Sequence, residues 1–66
     1  MDADAAQLSS VATALDDLTA RVVEAADRLR RRDDNVAADL DEVERALRAA
    51  SRRLATTVRT LERNRH

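Results

Sequence analysis

Asp39, Asp41, Glu42 and Glu44 crowd carboxylates into one short run, and Asp16–Asp17 and Asp33–Asp34 add two adjacent pairs. Converging carboxylates are the raw material of general acid–base catalysis and of divalent-metal binding. Neighbours on a helix point about 100° apart, however, so these runs fan out around a surface instead of meeting. A metal centre inside a helical bundle needs inward-facing Glu, or a Glu-x-x-His pair. The single His is the C-terminal residue, His66, and the chain contains no Cys and no Gly. Thiolate ligands, disulfides and glycine-rich phosphate loops are thereby excluded. The expectation is a non-enzymatic chain with no catalytic, cofactor-binding or metal site and no small-molecule substrate.

The second chemical feature is basic. From Arg45 onward seven Arg stand against one acid, Glu62, and Arg45, Arg48, Arg52 and Arg59 form a stripe on outward positions. Such a stripe suits nucleic-acid phosphates or an acidic protein surface. Two properties weigh against nucleic acid: the formal net charge is −1, and no aromatic side chain is present to stack on a base. Nucleic acid is therefore the alternative reading and not the leading one. All basic residues are Arg, which reads as the codon usage of a GC-rich bacterial genome. No apolar run approaches the roughly 18 residues of a membrane span, and the opening "MDADAAQ" is acidic where a secretory signal would be basic. No membrane partner is expected, and the expected location is cytoplasmic with leaderless export left open.

Composition makes helices the scaffold for these residues. Gly and Pro are both absent, and Ala, Leu, Arg and Glu, which lose little side-chain freedom in a helix, dominate. Leu8, Val11, Leu15, Leu18, Val22, Ala25 and Leu29 are spaced by alternating steps of three and four. Val36, Leu40, Val43, Leu47, Ala50, Leu54, Thr57 and Leu61 repeat that rhythm. Each set is an a/d stripe of a heptad repeat. The two frames are out of phase, as in a chain that reverses near Arg30 to Asn35 or in one long helix with a stutter.

An antiparallel pairing favours the reversal. It sets Leu29 with Val36, Ala25 with Leu40, Val22 with Val43, Leu18 with Leu47, Leu15 with Ala50 and Val11 with Leu54, so large faces small wherever Ala occurs. It also places Arg28 opposite Asp39, and Asp2 and Asp4 near Arg59, Arg63 and Arg65. Asp34 or Asn35 is suited to capping the second helix, Asn35 tolerates positive φ, and Asp4 with Gln7 resembles a capping box. The fold expected is all-α: one antiparallel two-helix hairpin spanning residues 1–66, with helix 1 about 4–31, the turn about 32–35 and helix 2 about 36–63. Its core is the apolar members of the a/d set, Leu8 to Leu29 and Val36 to Leu61, without Thr57. A continuous coiled-coil dimerisation rod is the competing architecture.

Beside the stripes runs a line of small residues, Ala5, Ala12, Thr19 and Ala26 on the first arm and Ala37, Ser51 and Val58 on the second, interrupted by Glu44. Val23 is expected to face outward. A chain this short seldom sustains a core alone, and without Cys or metal ligands oligomerisation is the remaining support. The small-residue line is accordingly expected to be the association strip of a four-helix bundle. The function expected is a protein–protein interaction module, a homo-oligomer or the partner of another small helical protein. Such hairpins invite comparison with the WXG100 substrates of type VII secretion, but the Trp, Gly and Tyr of their motifs are absent.

Overall fold

A computed structural model describes residues 3–64, which form two helices, α1 (Ala3–Leu29) and α2 (Asp34–Arg63). The chain reverses between them and the arms lie side by side along a body of 53 × 14 × 10 Å. An unbroken helix of about 60 residues would run to roughly 90 Å, so the reversal excludes the continuous rod. Met1, Asp2, Arg65 and His66, and with them the expected placing of Asp2 and Arg65, lie outside the described residues.

The turn falls two residues earlier than the heptad frames indicate, at residues 30–33 instead of 32–35. Its chemistry explains the shift. Asp33, in extended backbone, accepts hydrogen bonds at Oδ1 from the amides of Asn35 (3.1 Å) and Val36 (3.2 Å), and its own carbonyl accepts the first helical bond from Ala37 N. Asp33 therefore takes the capping place expected of Asp34 or Asn35. Two of the free amides at the start of α2 are satisfied by one carboxylate.

At the other side of the turn, Arg30 N donates to Ala26 O, and Arg32 N and Asp33 N both donate to Leu29 O at 2.8 and 2.7 Å. The last turn of α1 tightens and shares one carbonyl between two amides. Positive φ occurs at no described residue, Asn35 included. A right-handed tightening of this kind has no need of Gly, which is why a chain lacking Gly still reverses. At the N-terminus Asp4 lies inside the first turn of α1 and not before it, so it occupies no capping-box position, although its charge suits the positive end of the helix.

Burial inverts the expected assignment of the two stripes. The most buried residues are Ala5, Thr19, Ala26, Ala37 and Val58, with Ala12 and Ser51 half-buried beside them. That is the line expected to serve association, and it lies between the arms. Of the expected hairpin core, Leu8, Leu15, Val22, Ala25, Leu29, Leu40, Leu47, Leu54 and Leu61 are half-buried, while Val11, Leu18, Val36, Val43 and Ala50 are exposed, as is Thr57. The reason is steric. Ala5, Ala12, Thr19 and Ala26 recur every seventh residue on α1, and against Ala37 and Ser51 they let two helix backbones approach closely, whereas Leu at the same places would hold them apart. Thr19 enters this interface without cost because its Oγ1 donates to Leu15 O at 2.7 Å.

Candidate functional site

A helical wheel turns the burial pattern into a surface. With the small-residue line facing the other arm, the rows that begin at Leu8 and at Val11 lie progressively to one side of it. The same holds on α2 for the rows through Leu40 and Val36. Because the arms are antiparallel and pack through equivalent lines, both pairs of rows emerge on the same broad side of the hairpin. Val11, Leu18, Val36 and Val43 are 47%, 49%, 40% and 43% exposed there. At the open end the rows of the two arms meet, where Leu8, Val11 and Leu61 line one depression with Asp4 and Gln7. The result is an apolar face running the length of the molecule.

The reverse side is polar and holds cross-arm bonds. Ser51 Oγ donates to Asp16 Oδ1 at 2.8 Å, and a shallow groove there is lined by Asp16, Thr19, Ala20, Arg48, Ser51 and Arg52. Near the turn Arg30 Nη1 and Nη2 donate to Asp41 Oδ2 and Oδ1, each at 3.1 Å. These hydrogen bonds, ahead of simple charge attraction, raise the Arg30 pKa, and the bond from Arg30 lowers that of Asp41. Val23 is half-buried and so does not face fully outward as its position suggested.

The basic stripe is partly neutralised within its own helix. Arg45 pairs with Glu42, Arg48 Nε donates to Glu44 Oε2 at 2.8 Å, and Arg59 Nη2 donates to Thr56 Oγ1 at 3.2 Å. Arg52 is exposed on the groove side. The four do not act as one free row of cations. Among the described residues no three His, Cys, Asp or Glu side chains converge in a way that could hold a metal ion. Nor is any helix among them long and apolar enough to cross a membrane.

The edges of the apolar face carry charge. Arg21 and Arg28 border it on α1, and Asp39 and Arg53 border it on α2, all exposed. Arg21 pairs with Asp17 at 3.1 Å. The Arg28–Asp39 pair expected within the chain does not form, because each residue sits on the outer edge of its own arm; Arg30–Asp41 is an ion pair that does cross between arms. Sequence reading missed the Arg30–Asp41 and Asp16–Ser51 links. Both depend on rows beyond the small-residue line turning toward the other arm, and that rotation has no signature in heptad spacing. Comparison with known protein families, curated proteins and solved structures finds no match.

Proposed function

We propose that this chain is a non-enzymatic protein–protein interaction module whose apolar face docks on the same face of a second copy, giving a four-helix bundle. The observation that carries the reading is the exposure of Val11, Leu18, Val36 and Val43 along one side of the hairpin, in line with half-buried leucines on both arms. A continuous apolar surface of this extent on so small a chain marks an interaction site.

Size supports a second copy as the occupant. The broad side of the hairpin spans 53 × 14 Å, and covering a footprint of that order on two copies removes on the order of 1,500 Å² from water, within the roughly 1,200–2,000 Å² of stable interfaces. A flat face matched to itself also closes under two-fold symmetry, the commonest arrangement of soluble oligomers. The dimer then resembles a four-helix bundle in which the small-residue lines hold each hairpin together and the Leu and Val rows form the shared core.

Sedimentation equilibrium of the native chain is expected to return twice its 7.3 kDa mass at micromolar concentration. Joint replacement Leu18→Asp and Val43→Asp should shift the species to the single-chain mass, whereas Arg52→Ala, on the groove side, should leave it unchanged. A native chain that sediments as a single copy throughout would overturn the reading.

A further inference from the structure

Resting on that self-association, we infer that the two copies stack with their turns at the same end, so that Arg28 of each copy pairs with Asp39 of the other. Both residues are exposed, and among the described residues neither makes an ion pair within the hairpin. They carry opposite charge, border the apolar face on opposite edges, and lie at comparable distances from the turn. One chain cannot bring them together.

Two face-to-face stackings preserve two-fold symmetry. Rotation about the long axis lays α1 over α2 of the second copy with the turns together. Rotation about the short axis lays each helix over its own equivalent, with the turns at opposite ends. In the first, the edge of α1 meets the edge of α2 level by level: Arg28 meets Asp39, Arg21 meets Ala46, and Ala14 meets Arg53. Each charge faces an opposite charge or a small neutral side chain. In the second, Arg28 meets Gln7, Arg21 meets Ala14 and Asp39 meets Thr60, and no edge charge finds a counter-charge. The first stacking alone forms the pair, and it does so twice.

The same stacking gives the interior a volume match. Leu15 comes to lie over Ala50 and Ala25 over Leu40, so the large-against-small layers that the heptads suggest for one chain are made between two.

The chain has no Cys, so Arg31→Cys at the turn supplies a single spin-label site. The label–label distance is read by pulsed electron resonance on a sample whose mass has been measured by sedimentation. Turns at the same end put the labels within about 30 Å, given helix spacings near 10 Å. Turns at opposite ends separate them by close to the 53 Å long axis. A two-copy mass with the long distance overturns the stacking and leaves self-association standing; a one-copy mass overturns both. Charge exchange gives the second test. Arg28→Glu or Asp39→Arg alone should weaken association about three- to tenfold, as expected for two exposed pairs turned repulsive. Combining the two should restore it, and failure of the double variant to recover would overturn the pairing.

Discussion

Arg30 and Asp41 form a two-pronged ion pair across the reversal, each guanidinium nitrogen 3.1 Å from its own carboxylate oxygen. The planar fork of Arg matches a carboxylate in a way that Lys does not, and it ties the residue just past α1 to the second turn of α2. Both partners keep contact with solvent, with side chains 46% and 33% exposed, so the link is open to screening by salt.

Acid should dissolve this link in a predictable direction. The Asp41 carboxyl is held below its ordinary value of 3.8 by the bond from Arg30, so the folded state favours the ionised form. Its contribution is fully present above that ordinary value and is lost as pH falls through the lower folded value. The urea midpoint of the native chain should exceed that of Asp41→Asn at neutral pH, and the gap should close toward acid. A gap that persisted unchanged in strong acid would show that Asn disturbs packing and not charge. Added salt should narrow the neutral-pH gap as well.

Asp33 is the second point at which the turn can be tested. Its carboxylate serves two amides at the start of α2, so Asp33→Ala should cost about 0.5–2 kcal/mol in denaturant unfolding. Asp33→Ser should recover most of the loss. Asp34→Ala, one residue further along and within the helix, should cost far less. Equal losses at both positions would contradict the cap.

The small-residue line makes a prediction opposite to the heptad reading. Ala26 lies between the arms, so Ala26→Leu should force the backbones apart and destabilise the hairpin by about 1–3 kcal/mol. If Ala26 were peripheral, added apolar volume would be tolerated or helpful. Ala49→Leu, at an exposed site on α2, should stay within about 0.5 kcal/mol of the native chain. Thermal or urea unfolding of the two variants side by side decides the matter.

The inversion of stripes shows what the residue pattern carries and what it leaves open. The three-four spacing of Leu8 to Leu29 and of Val36 to Leu61 is enough for two amphipathic helices; the phase break between them fits a reversal or a stutter, and the antiparallel layers favour the reversal. The rotation of each helix about its axis was not legible. Rows through Ala5, Leu8 and Val11 lie within about 100° of one another on the wheel, and spacing alone treats them as one apolar arc. The largest residues draw attention as the core, but side-chain size acts in the other direction here: Ala26 and Ala37 permit close approach, and Leu18 and Val43 are left facing out. Turn position was blurred for a related reason. Asp33, Asp34 and Asn35 are all acceptable caps by residue type, and only the tightening of α1 at Leu29 selects Asp33.

Self-association ties the melting midpoint of the native chain to its concentration. An exposed row of Val11, Leu18, Val36 and Val43 leaves the lone hairpin with little enclosed apolar surface, its most buried side chains being small. Covering that row with a second copy removes it from water only in the folded state, so association and folding are thermodynamically linked. Unfolding of a dimer to two separate chains releases a particle, and mass action then raises the midpoint as concentration rises. Calorimetric or circular-dichroism melts over a hundredfold concentration range should show the midpoint climbing by several degrees, with the helical signal and the sedimenting mass lost together. A midpoint that stayed fixed over that range would mean that the hairpin holds itself together alone, and the exposed row would then have to find its cover elsewhere.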